Sequence, residues 1–146
     1  APDEHISSYD LIRRAKFVMV YNSTIGLEAS IMGKPVLCAG RARYTQIPTV
    51  FFPNTRRAFS NKLKEFLGAG KIQVPAYFVK NARRVLYSQL FRASLPFGDY
   101  MEEDGVWQGY VRLRGFSIRD LSPENSDVMK VLHDGIMHGK PFIRDI

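Results

Sequence analysis

Apolar and polar positions between residues 17 and 40 come in blocks: FVMVY, the polar triplet Asn22-Ser23-Thr24, a mixed stretch, then VLCA. A short unbroken apolar run with β-branched members predicts a strand covered on both faces, as in a parallel sheet flanked by helices. The spacing therefore predicts strands over residues 17–21 and 36–39. Asn22, Ser23 and Thr24 are helix-capping types, because a short side-chain oxygen can accept from a free N–H of the first turn. Ile25, Leu27, Ala29, Ile31 and Met32 supply apolar helix surface until Gly33, a residue suited to the left-handed end of a helix. Lys34-Pro35 restarts the chain in extended form, and Gly40 turns it out of the second strand.

The rest of the chain is read relative to this strand–helix–strand unit. Residues 1–6 predict a short extended segment, and Ser7 or Ser8 caps a helix carrying Tyr9, Leu11, Ile12 and Ala15. A third strand is expected over 49–52, ended by Pro53-Asn54-Thr55, which opens a helix burying Phe59, Leu63, Phe66 and Leu67. Gly68-Ala69-Gly70 closes it. A longer helix is predicted over 75–92, with Phe78, Val79, Ala82, Val85, Leu86 and Leu90 on its apolar face, until Leu95-Pro96-Phe97-Gly98 breaks it. Residues 99–115 carry the acidic run Glu102-Glu103-Asp104, followed by Val106 to Val111, which reads as strand or turn. A last helix, opened by Ser122-Pro123-Glu124, buries Val128, Val131, Leu132, Ile136 and Met137 and ends near Gly139. The fold class is thus α/β: a partial Rossmann-like half with a parallel sheet over 1–72, and a mostly helical extension over 73–146 packed on it.

Composition narrows the partners. The net charge is +7 over 146 residues, but the cations are spread along the chain, with no nucleic-acid-binding motif and no interleaved aromatic stripe. No nucleic acid is expected; anionic small molecules or an anionic surface fit better. Lys80, Arg83 and Arg84 fall together on one helix flank and read either as a peripheral membrane patch or as solvated charge. No apolar run is long enough for a transmembrane helix, and no signal-like start is present, so a cytoplasmic location is expected. The single Cys38 lies in a predicted buried strand and reads as a small core residue. His5, His133 and His138 lack the spacing of metal ligands with Cys or carboxylates, so no metal is expected. No cofactor is expected either.

The candidate chemistry sits at the carboxyl end of the first strand, where open α/β sheets bind ligands. Glu28 falls four residues after Thr24, one turn along the same helix face. A carboxylate there repels phosphate but accepts from sugar hydroxyls. Two readings stand side by side: an ordinary capped helix with a solvated Glu28, or phosphate at Ser23 and Thr24 with ribose near Glu28. Arg41 and Arg43, after Gly40, fall on the same rim, where a planar guanidinium suits phosphate.

The strings Ser8-Tyr9-Asp10-Leu11-Ile12, Tyr21-Asn22-Ser23-Thr24-Ile25-Gly26-Leu27-Glu28-Ala29 and Gly33-Lys34-Pro35-Val36, with Gly40 and Tyr44, resemble the carboxyl-terminal half of capsule-polysaccharide biosynthesis proteins. These are GT-B-type glycosyltransferases related to the Kdo transferases. The likeness is close over roughly the first third of the chain and general thereafter. It implies a GT-B fold, a nucleotide-sugar donor and a saccharide acceptor. Donor-binding residues are implied at Ser23, Thr24, Gly26, Glu28, Arg43 and Tyr44, with phosphate at the Ser/Thr pair and ribose near Glu28. Related sequences often have Asp where Lys16 stands, so no carboxylate role carries over to that position.

The resemblance implies transfer of a sugar in capsule or surface polysaccharide synthesis, at the inner face of the cell membrane. It assigns no catalytic residue, since the acceptor base of such enzymes usually comes from the other half. The chain is expected to be a fragment of a longer enzyme, with a stand-alone remnant as the other reading. Two alternatives remain open: a CDP-polyol phosphotransferase of the teichoic-acid type, with a similar Ser-rich helix start, and a non-catalytic binding module that keeps the fold. An exposed sheet edge would favour a homodimer.

Overall fold

A computed structural model describes residues 6–145; the extended segment expected over 1–6 falls almost entirely outside them, as does His5. The chain is mixed α/β and divides into two compact units, Ala1–Leu86 and Tyr87–Ile146. No helix among the described residues is long and apolar enough to cross a membrane.

In the first unit, helix α1 (Ser8–Arg14) precedes strand β1 (Val18–Val20), helix α2 (Ile25–Ile31) and strand β2 (Val36–Cys38). Ser7 caps α1, accepting from the Tyr9 N–H. The strands pair in parallel, Val18 opposite Val36, Met19 opposite Leu37 and Val20 opposite Cys38. The third strand expected over 49–52 contracts to one parallel bridge between Leu37 and Phe51, fixed by Phe51 N donating to Val36 O and Cys38 N to Phe51 O, both at 2.9 Å. β2, between these neighbours, is wholly buried, as its unbroken apolar sequence requires. β1 departs from expectation. Met19 and Tyr21 are exposed, so one of its faces is uncovered, and its apolar run overstated its burial.

Helix α2 ends at Gly33 as its sequence predicts. Gly33 has φ 77°, its N–H donates to Ser30 O, and Lys34 N donates to Ala29 O. This paired pattern satisfies carbonyls that a helix end leaves open. The Lys34 ammonium then reaches back to Arg13 O at 2.6 Å and Ala15 O at 3.2 Å, closing the end of α1. Lys16 does the same for helix α3 (Arg56–Gly68), donating to Leu67 O at 2.9 Å.

Helix α3 is capped by Thr55, whose hydroxyl accepts from Ala58 N. Its Phe66 is fully buried and meets Phe17 and Phe51 edge-on at ring-centroid distances of 5.3 and 5.0 Å. Leu67, expected beside it, is exposed. Helix α4 (Ala76–Tyr87) joins this unit through buried Phe78 and Ala82 and through Asn81, which donates to Pro48 O. The compact unit therefore reaches past residue 72 to Leu86. After α4 the chain forms a π-helical turn, Ser88–Arg92, with Ala93 N donating to Ser88 O. The wider turn shifts the side-chain register, and Leu90, expected on the apolar face, is exposed.

The second unit contains an antiparallel hairpin besides its helix, so this part is less helical than its sequence suggested. Strand β3 (Met101–Glu103) pairs with β4 (Val111–Leu113), Glu102 opposite Arg112. Helix α5 (Asp127–His138) is capped by Ser126, not by Ser122; a short 3-10 turn, Ile118–Leu121, takes up the intervening chain. Val128 is buried, whereas Ile136 and Met137 are exposed, contrary to expectation.

Candidate functional site

Two loops leave the carboxyl ends of β1 and β2 and are bonded to each other. Ala39 N donates to Val20 O at 2.9 Å and Gly40 N to Tyr21 O at 2.6 Å. The buried thiol of Cys38 lies 3.1 Å from Tyr21 O and 3.2 Å from Gly40 O. Beyond Gly40, Arg43–Gln46 forms a 3-10 turn. Thr45 Oγ1 locks its start, accepting from Ala42 N and donating to Ala42 O, and Thr49 Oγ1 donates to Tyr44 O at 2.6 Å.

Tyr44 joins the two loops. Its ring is buried at 2 % exposure, and its hydroxyl donates to Ser23 O at 2.7 Å. Burial, and then the neighbouring Cys38 thiol, push the phenol far above its ordinary pKa. It therefore stays protonated and donates. The ring rests under Gly26, where a Cβ would lie 2.6 Å from the Tyr44 oxygen and 2.9 Å from Val20 Cγ2. Gly26 and Tyr44 are thus complementary parts of the support beneath the turn. Neither offers a ligand group on its exposed surface.

That surface carries Ser23 and Thr24, both exposed. Ser23 Oγ accepts a long 3.4 Å bond from Ile25 N. Thr24 stands at the capping position of α2 but makes no side-chain cap bond. Its backbone is already helical, φ −60° and ψ −24°, whereas a capping side chain generally needs an extended backbone to reach the following N–H groups. The expected cap thus fails at Thr24.

Glu28 lies along the same helix and is half-buried. It accepts a hydrogen bond from the hydroxyl of Tyr9 on α1. The carboxylate, through this bond and then through its charge, raises the Tyr9 phenol above its ordinary pKa. Glu28 is therefore oriented by a partner, not freely solvated. Tyr9 is the residue that sequence reasoning missed. Nothing in the spacing links positions 9 and 28, and only the polar tip of an otherwise apolar side chain hinted at a partner.

Arg43 and Arg41 are exposed and, with Ala42, Thr45 and Gln46, line a shallow depression of about 530 Å³. Arg43 immediately precedes the tyrosine that holds the Ser23 carbonyl. In the second unit, Glu102 accepts from Arg112 at 2.7 Å and is approached by Arg114 at 3.6 Å.

The strand-end loops present hydroxyls and two guanidinium groups over a buried frame, and α2 carries an oriented carboxylate. Residues 3–62 match the family model for capsule polysaccharide biosynthesis proteins. The capsule-synthesis match includes α1, β1, α2, β2 and the Arg43–Gln46 turn, and it ends within α3. It supports a role for the chain in capsule polysaccharide synthesis. It contains Tyr9, Ser23, Thr24, Gly26, Glu28, Arg43 and Tyr44, and none of the second unit. No curated protein and no solved structure matches the chain.

Proposed function

We propose that the loops following β1 and β2 bind a nucleotide-sugar donor, and that the chain serves as the donor-holding part of a GT-B-type glycosyltransferase of capsule synthesis. In this reading β1, α2 and β2 belong to a Rossmann-like half. The donor phosphates lie against Ser23 and Thr24 with Arg43 as counter-charge, and the ribose hydroxyls donate to Glu28. As the sugar leaves, negative charge grows on the departing nucleotide; fixed donors and a guanidinium already in position stabilise it without reorganising. Gly26 and Tyr44 contribute as positioning residues, setting the height and direction of the Ser23 turn.

The observation that carries the reading is the Tyr9–Glu28 hydrogen bond. A carboxylate held on the same helix as the Ser23–Thr24 turn supports the donor reading over that of a merely capped helix. The capsule-synthesis match over residues 3–62 supports the same reading independently.

Calorimetry with a panel of nucleoside diphosphates tests it. A hydrogen bond to a charged group contributes about 1.5–3 kcal/mol, so Ser23→Ala should weaken binding roughly ten- to a hundred-fold. Glu28→Gln should also weaken binding, but its effect should vanish with 2′,3′-dideoxy nucleotides while that of Ser23→Ala persists. Arg43→Lys keeps charge but loses the planar fork and should fall between native and Arg43→Ala. Folded Ser23→Ala and Glu28→Gln proteins that bind like the native chain would remove the proposal.

A further inference from the structure

The last turns of α5 bring together three groups that the nucleotide reading does not use. His133, Asp134 and His138 each offer a ligand atom, and these atoms all lie within 4.8 Å of one another. The two imidazole rings meet edge-on with centroids 5.4 Å apart. Asp134 and His138 are four residues apart and so share a helix face, while His133 flanks Asp134. Four residues lie between the histidines, a separation within the range of histidine ligand pairs, and the carboxylate that joins them is the immediate neighbour of His133.

The two oxygens of Asp134 have different partners. Oδ2 is held by the Lys140 ammonium at 2.8 Å. Oδ1 lies 3.5 Å from His133 Nδ1, long for a hydrogen bond. It is close to the spacing of about 3.3–3.5 Å between two ligands on a tetrahedral ion bound at about 2.0–2.2 Å. A ligating carboxylate is normally oriented by a second hydrogen bond on its other oxygen, and Lys140 supplies one. Lys140 is itself positioned by the chain that follows α5. The Phe142 ring packs on Gly135, where a Cβ would collide with it, and Arg144 N donates to Arg92 O at 2.9 Å.

Two imidazole nitrogens and one carboxylate oxygen form a donor set of intermediate softness, suited to zinc and its transition-metal neighbours and unsuited to magnesium or calcium, which take oxygen shells. Both histidines are exposed, so an ion reaches them without opening the fold. His138 is the last residue of the helix. We propose that His133, Asp134 and His138 form a zinc-class divalent metal site with three protein ligands and an open fourth position.

Zinc titration of the tag-free full chain tests this by calorimetry and by the imidazole resonances of the histidines. One equivalent should bind, shifting His133 and His138 together, and magnesium should shift neither. His133→Ala and His138→Ala should each weaken zinc binding by at least about ten-fold, a loss already seen when only supporting residues of metal sites are changed, while His5→Ala leaves it unchanged. Both ligand positions are exposed, so circular dichroism should show native helix content in each variant. Zinc that fails to shift both resonances in the native chain overturns the proposal, as does binding that survives either histidine substitution. The readouts involve neither nucleotide nor activity, so a failure here is separate from a failure of the donor site.

Discussion

The two compact units solve the problem of holding chain in place differently. Among the described residues, every deeply buried apolar side chain except Tyr100 and Val128 belongs to the first unit. Its strand-end loops are tied by buried acceptors: Tyr44 to Ser23, Thr49 to Tyr44, and Ser30 to Thr49. The second unit exposes Val106, Trp107, Tyr110, Leu113 and Ile118 around its hairpin, and relies on surface ion pairs such as Glu102 with Arg112. Exposed pairs contribute little because water screens them, whereas hydrogen bonds made out of water resist breakage. The groups proposed to meet the nucleotide therefore stand on the more tightly tied unit.

The sharpest contrast should come from Phe66 and Trp107. Phe66→Ala empties a fully buried site between Phe17 and Phe51 and should cost about 3–5 kcal/mol in denaturant unfolding. Trp107→Ala, at a position 68 % exposed, should stay within about 0.5 kcal/mol. Equal losses would break the comparison.

Gly26→Ala tests the close fit beneath the turn. The added methyl meets the Tyr44 oxygen and Val20, and overpacking of this kind costs about 1–3 kcal/mol. Removing that oxygen with Tyr44→Phe should recover part of the loss. Strict additivity of the two substitutions would show that they do not touch.

Tyr44→Phe alone should cost about 1 kcal/mol near neutral pH through the lost bond to Ser23. Its pH dependence is the better discriminator. The folded phenol pKa is raised, so its stabilisation is complete below the ordinary phenol value of about 10 and declines above it, as the unfolded chain ionises first. Alkaline unfolding of the native chain should be steeper than that of the variant, by up to about 1.4 kcal/mol per pH unit. Identical slopes would mean that Tyr44 is open to solvent. A small effect is expected at Arg112→Ala, about 0.2–1 kcal/mol, shrinking further as salt is added.

Local signals were legible where chain neighbours set the outcome. The β1–α2–β2 order, the end of α2 at Gly33 and the Thr55 cap all follow from residues a few positions apart. The donor-site candidates were legible as a pattern, but their division of labour was not. Gly26 and Tyr44 were implied as donor-binding residues, and packing put them beneath the turn. Tyr9 and Glu28 meet only because α1 lies beside α2, a relation no periodicity encodes. Leu67, Leu90, Ile136 and Met137 were assigned to apolar faces by spacing alone. Whether such a face is covered depends on what packs there, and at Leu90 also on a π turn that shifts the register. The hairpin of residues 101–113 was obscured because β4 lacks a buried face, so its sequence has no in–out alternation to read.

Cys38 turns the frame into something that can be timed. It is the single thiol of the chain, fully buried, and its sulfur is in contact with carbonyls of both strand-end loops. An alkylating reagent can reach it only when those loops part. The ratio of its labelling rate in the unfolded chain to that under native conditions is thus a protection factor, and its logarithm gives the opening free energy of the sheet at one position. A nucleotide bound across the two loops would slow labelling in proportion to its occupancy, reporting affinity without an assay of transfer.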